Sequence, residues 1–221
     1  MKDLIIIGAG GLGRETIWMA ERINAVNPEW NILGFIDDKP SYKGKIIDGY
    51  RVLGNSADVA TYPDAYYVCA IGNASIRKSA VEKILRIAPV KFATLVDPAC
   101  VWCRGRTSIG EGCIICAHTY ITVDIKIGNH VYFGADGTVG HDARIDDFVT
   151  CYPGVNVSGA THVSSCCEIG AGSQIIQGIS VGERTIVGAG SVVIRDLPAD
   201  CTAVGAPAKP IKFNNKKALK K

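Results

Sequence analysis

Four histidines occur in the chain, and one of them stands where proton chemistry is possible. His141 lies in the run Val139-Gly140-His141-Asp142. An imidazole exchanges protons near neutral pH, and an adjacent carboxylate can orient the ring, fix its tautomer and raise its basicity. His118, His130 and His162 have no such neighbour and read as solvated turn residues. A second signal is the loop Gly8-Ala9-Gly10-Gly11-Leu12-Gly13, which follows the β-rich run Leu4 to Ile7 and precedes a helical pattern. Glycines there let backbone N–H groups approach an anion at a helix N-terminus. Asp37 and Asp38 end the next strand-like run, and either would accept a hydrogen bond from a ribose hydroxyl or a base N–H. A tight turn that holds no ligand is the competing reading of the same loop.

A repeat must position these residues. From Ile109 to Pro198 an apolar residue recurs every six positions, fifteen times without interruption, from Ile109 through Phe133 and Cys151 to Val193. The next residue is often glycine, as at Gly128, Gly140 and Gly170. No α-helix has this period; a stacked β-solenoid does. Three hexads make a coil of about 18 residues, and fifteen hexads therefore make about five coils. One coil beyond His141 is Gly159, and a glycine there leaves its backbone N–H open to a ligand, the expected oxyanion donor beside the base. A β-helix is filled by its own aliphatic side chains, so chemistry must occur on its outside. Its flat faces favour side-by-side association, most simply as a closed homotrimer.

Residues 1–88 follow another grammar. A helical pattern runs to about Asn24, a strand from Ile32 to Ile36, another from Tyr66 to Ile71, and a helix from about Ile76 to Ile87. Alternating strands and helices predict a parallel sheet covered by helices. About 88 residues supply one mononucleotide-binding half, which favours a mononucleotide or nucleotide-sugar over a dinucleotide. The expected division is an α/β Rossmann-like half-domain at 1–88, a left-handed parallel β-helix of hexapeptide repeats at 89–198, and a tail at 199–221.

With 221 residues, 48% hydrophobic content and a net charge of +3, the chain has ample core and no strongly basic face for nucleic acid. Lysines do gather at the end: Lys209, Lys212, Lys216, Lys217, Lys220 and Lys221. They read as a solvated tail, with help in holding a polyphosphate as the alternative. No run approaches the ~20 apolar residues of a membrane span. With no secretory signal in view, the expected location is the cytoplasm. Nine scattered cysteines do not form a disulfide framework. The pairs Cys100/Cys103 and Cys113/Cys116 resemble zinc spacing, but Cys113 falls at an inward hexad position, so no metal is expected. The histidine spacings of 12, 11 and 21 also lack the close pair of a zinc carbonic anhydrase.

The stretches LIIIGAGGLGRE, GFIDDK, AIGN with Arg77, VGHD and VGAPAKPI together span nearly the whole chain. In that order they resemble the bacterial sugar acyltransferases of the sialic acid O-acetyltransferase and UDP-4-amino-sugar N-acetyltransferase family. The resemblance implies a homotrimer that moves acetyl from acetyl-CoA to a sugar of a surface glycan, lipopolysaccharide or capsule. It implies His141 as general base beside Asp142, with no metal. It puts the nucleotide-sugar near Gly10, Gly11, Leu12, Asp37, Asp38, Lys39 and Gly72, and acetyl-CoA near Gly159, Ala171 and Ala189. Two positions depart from the pattern. Leu12 and Thr150 stand where amino-sugar enzymes often have histidine, Thr150 at the place near the thioester. N-acetylation of a nucleotide-linked 4-amino-deoxy sugar is the leading expectation. O-acetylation of a sugar hydroxyl and a non-catalytic β-helix scaffold are the alternatives.

Overall fold

The computed structural model describes residues 1–213; Lys216, Lys217, Lys220 and Lys221 lie outside the described residues. The chain divides into two compact units, Met1–Pro98 with Glu111–Ile114, and Ala99–Gly110 with Ile115–Lys221.

In the first unit, β1 (Lys2–Ile7), β2 (Trp30–Ile36), β3 (Ile46–Ile47), β4 (Tyr50–Gly54), β5 (Tyr66–Cys69) and β6 (Lys91–Phe92) form one sheet in the order β3-β4-β2-β1-β5-β6. Only β3 and β4 pair antiparallel. Strand β1 is central, and Leu4, Ile5 and Ile6 are wholly buried, as an interior parallel strand requires. Helix α1 (Gly11–Val26) buries Thr16, Ile17, Met19 and Ala20, and α2 (Ala74–Ile87) buries Ala74, Arg77, Val81 and Ile84. Both helices extend slightly beyond their apolar patterns. Asn73 caps α2 by accepting from Ile76 N–H at 2.9 Å.

In the second unit the six-residue period becomes three parallel sheets of two- and three-residue strands. One face stacks Tyr132–Phe133, Thr150–Cys151, Glu168–Ile169 and Ile186–Val187. The next stacks Val101–Trp102, Tyr120–Ile121, Thr138–Val139, Asn156–Val157, Gln174–Ile175 and Val192–Val193. The third runs from Thr107–Ile109 through Ile125–Ile127, Arg144–Ile145 and His162–Val163 to Ser180–Val181. From Thr107 onward these partners lie 18 residues apart, so this is a parallel β-helix. Stacking already includes Val101, ahead of the first regular hexad. It continues past Pro198, where Cys201–Gly205 pairs with Ile186–Val187 and then with the antiparallel Ala208–Phe213.

Two backbone facts explain the hexad. Its fourth residue has positive φ coil after coil, among them His118, Asp136, Asp142 and Ala160. Its second residue is often glycine because successive backbones nearly touch: a β-carbon at Gly134 would lie 2.6 Å from Pro153 N, and one at Gly140 2.5 Å from Gly159 N.

Candidate functional site

At the mouth of the first unit, the glycine loop opens α1 with Gly10 as a cap that supplies no side chain, and no acidic residue in the first turn. The Gly11 and Leu12 N–H groups donate to nothing among the described residues. Free N–H groups and the helix dipole make this end receptive to a phosphate. Gly13 has no room for a side chain, because a β-carbon there would overlap the Gly8 carbonyl. Asp37 is committed to backbone: its carboxylate accepts from Ala9 N–H and Lys39 N–H, each at 2.8 Å. It therefore ties the glycine loop to the end of β2.

Asp38 is differently placed. It accepts from Ser56 N–H at 2.9 Å, from Ser56 Oγ at 2.7 Å and from Lys83 Nζ at 2.9 Å. Partial burial pushes this carboxyl up, yet the hydrogen bonds from Ser56 and Lys83 outweigh it and hold the group below its usual range. A cavity of about 590 Å³ joins Gly10, Gly11, Leu12, Asp37, Asp38 and Gly72, with apolar walls from Ile36, Ile76 and Ile84. Lys39 is not among its walls; its ammonium lies over the Tyr42 ring at 4.5 Å. Buried Arg77 shapes the far rim by donating from Nη1 to the carbonyls of Ile71 at 2.7 Å and Gly72 at 3.0 Å.

Ser56, Ser79 and Lys83 also line this cavity and were not anticipated from the sequence. A signal existed for the first. Asn55 and Asp58 form a capping box, which marks a helical turn at Ser56 just beyond β4. Ser79 and Lys83 lie four residues apart on one face of α2, too ordinary a spacing to be noticed alone.

On the coil, His141 Nδ1 lies 2.8 Å from Asp142 Oδ2. An ionised carboxylate can only accept, so Nδ1–H donates to it; in the neutral ring that tautomer leaves the lone pair on Nε2. Asp142 reaches this position because its left-handed turn, φ +60°, turns its side chain back toward the ring. The two side chains are 53% and 62% exposed, so the pair stands on an open corner. Gly159 lies over the outer edge of the imidazole, where its N–H donates to nothing among the described residues. Base, carboxylate and donor meet at one corner.

The other coil residues singled out lie elsewhere. Ala171 and Ala189 stack on each other at the neighbouring corner, where Gly190 N–H donates to the Ala171 carbonyl at 2.8 Å. Thr150 is wholly buried in the ladder between Tyr132 and Glu168, on another face. His130 is buried rather than solvated, its ring stacked on Phe148 with 4.9 Å between centres. His162 sits on a strand rather than in a turn, and its Nε2 meets Asp146 Oδ2 at 2.9 Å. That second pair was hidden in the sequence because its partners are in successive coils. All nine cysteines are free, and burial pushes the Cys69 and Cys167 thiols up to about 12, so neither supplies a thiolate nucleophile.

Residues 3–84 match the family described as the PglD N-terminal domain, and residues 167–195 match the hexapeptide repeat of succinyl-transferase. The GDP-perosamine N-acetyltransferase of Escherichia coli O157:H7 is 34% identical over 215 residues, covering 94% of this chain and 95% of that one. A mutant of perosamine N-acetyltransferase from Caulobacter crescentus, solved with CoA and GDP-perosamine, has a TM-score of 0.86 at 26% identity, covering 96% of this chain and 98% of the other. The acetyltransferase domain of PglB from Neisseria gonorrhoeae FA1090, solved with acetyl coenzyme A, has a TM-score of 0.84 at 29% identity over 95% of this chain and 99% of that one.

Proposed function

The chain belongs to the bacterial sugar acetyltransferases that join a PglD-type N-terminal domain to hexapeptide repeats, and on that premise we propose that it N-acetylates a nucleotide-linked 4-amino-deoxy sugar. The observation that carries the chemistry is the corner where His141, Asp142 and Gly159 meet. The nucleotide occupies the cavity beside the glycine loop, with phosphate on the Gly11 and Leu12 N–H groups and Asp38 and Lys83 contacting the nucleoside. The sugar amine, as the free base, attacks the thioester carbonyl of acetyl-CoA. A C–N bond forms while His141 Nε2 takes the amine proton, and Gly159 N–H donates to the oxyanion. Collapse breaks the C–S bond, and the proton on His141 goes to the departing thiolate. The products are the N-acetylated nucleotide-sugar and CoA. CoA extends along open backbone such as Ala171 and Ala189, and no metal enters any step.

His141 stands on an exposed corner, so one chain gives it few walls. A closed homotrimer, in which a neighbouring chain completes the site, meets that need. The product serves surface glycan assembly, and the cytoplasm is where both substrates are at hand. Among the described residues no helix is long and apolar enough to cross a membrane. The test is steady-state turnover of His141→Ala with acetyl-CoA and GDP-, UDP-, dTDP- and CMP-linked amino sugars. Loss of a general base lowers turnover at least ~100-fold. Near-normal turnover in the variant overturns the mechanism, and failure of the unaltered enzyme with every amino sugar, but success with a sugar hydroxyl, overturns the N-acetylation.

A further inference from the structure

Beside the glycine loop lies a second, smaller cavity of about 300 Å³, lined by Gly11, Arg14, Glu15, Trp18 and Asp48. Gly11 lines both cavities, so the two adjoin at the N-terminus of α1. The wall of this one is unusual. Trp18 is 59% exposed, although its chain neighbours Ile17 and Met19 are buried. It is also held. The Arg22 guanidinium lies 5.2 Å from the Trp18 ring centre. Arg22 in turn is gripped through Nε and Nη2 by Asp97 at 2.8 and 3.0 Å, and Asp97 is only 3% exposed. A buried carboxylate thus fixes a guanidinium, which fixes one side of an indole whose remainder faces solvent. A cation stacked on an aromatic ring and a two-pronged ion pair are both directional, so the ring is pre-organised.

The polar groups around it match the aromatic. Glu15 and Asp48 present acceptors, and Arg14 Nη1 is only loosely paired with Asp48 at 3.8 Å. An aromatic platform with carboxylates at its edge is what a pyranose needs: C–H groups pack on the ring, and hydroxyls donate to the acceptors. Trp18 lies seven residues beyond Gly11, about 10 Å along the helix. That is the reach of a hexose joined through a diphosphate seated on the Gly11 N–H.

We propose that Trp18 is the platform for the sugar ring of the nucleotide-sugar, and that the shelf selects sugars with an apolar face, such as 6-deoxy hexoses. This rests on the reading that the larger cavity holds the nucleotide. Trp18 stacks on the sugar, Glu15 and Asp48 take its ring hydroxyls, and Arg14 faces the diphosphate. Arg22 and Asp97 are positioning residues that act through Trp18.

The test compares unaltered enzyme, Trp18→Ala and Trp18→Phe. Binding of GDP-perosamine and of GDP is measured by calorimetry, with the matching pair used if another nucleotide gives greater turnover. Trp18→Ala weakens binding of the nucleotide-sugar at least ~10-fold, leaves the bare nucleoside diphosphate and the KM of acetyl-CoA within about twofold, and Trp18→Phe restores most of the loss. Equal weakening of both ligands, or weakening of neither, overturns the proposal. So does a changed molecular mass of Trp18→Ala by light scattering, which would mean that another copy of the chain covers the ring. If the unaltered enzyme binds no nucleotide or nucleotide-sugar at all, the reading of the larger cavity fails instead.

Discussion

Gly159 stands one coil beyond His141 with its α-carbon against the imidazole, so close that a β-carbon would lie 2.6 Å from Nε2 and 2.7 Å from Cε1. The ring edge that would take a proton is thus packed against bare backbone, beside an N–H that donates to nothing among the described residues. One missing methyl group leaves space for the base and the oxyanion donor together.

Gly159→Ala therefore displaces the ring rather than the coil, because the imidazole is exposed and can swing away. Turnover falls about 100-fold, the scale of loss for a misplaced catalytic group, while the melting temperature changes little. Steady-state kinetics and a thermal melt on the same sample check this. Normal turnover would mean that the contact has no part in the chemistry.

Asp142 has two separable duties. An asparagine in its place would keep the left-handed turn, which that residue type tolerates, yet lose the charge that fixes Nδ1–H of His141. Asp142→Asn is expected to melt normally and to lose at least ~10-fold in turnover, less than His141→Ala. Asp142→Val adds backbone strain of roughly 1–2 kcal/mol at φ +60° and so melts lower as well.

The close approach of successive coils predicts a contrast between glycines. A β-carbon at Gly134 meets Pro153 backbone nitrogen at 2.6 Å, whereas one at Gly105 meets nothing within 4 Å. Gly134→Ala is expected to destabilise by about 1–3 kcal/mol, and Gly105→Ala by much less, in urea unfolding. Equal midpoints would contradict the packing reason for the second-position glycines.

Acid should loosen the coil at Asp146. Burial raises this carboxyl, but hydrogen bonds from Arg144 and His162, at 2.7 and 2.9 Å, outweigh it and hold the group below its usual range. A depressed carboxylate contributes stability that is present above its unfolded value of about 3.9 and lost as pH falls through the folded value. The gap in urea midpoint between the unaltered protein and Asp146→Asn is expected to be full at pH 7 and to shrink below about pH 4. A gap that stays constant down to pH 3 would rule out the linkage.

The order of residues was enough to specify the coil and its most informative consequence. A six-residue period admits one architecture, and its 18-residue turn aligns Gly159 with His141 before any coordinate is known, because parallel strands in register leave no freedom along the stack. The glycine loop was legible for a similar reason: a strand, a tight turn and a helix start are local events. How the carboxylates divide their work emerged only on folding. Asp37 and Asp38 are neighbours with the same chemistry in the sequence, yet one folds back on Ala9 and the other meets Ser56 and Lys83 from distant elements. Only the fold brought His162 to Asp146, buried Thr150, and tied Asp97 to Arg22 behind Trp18. Side-chain partners across such separations depend on how helices pack on a sheet and how faces meet at corners. Periodicity carries no record of either.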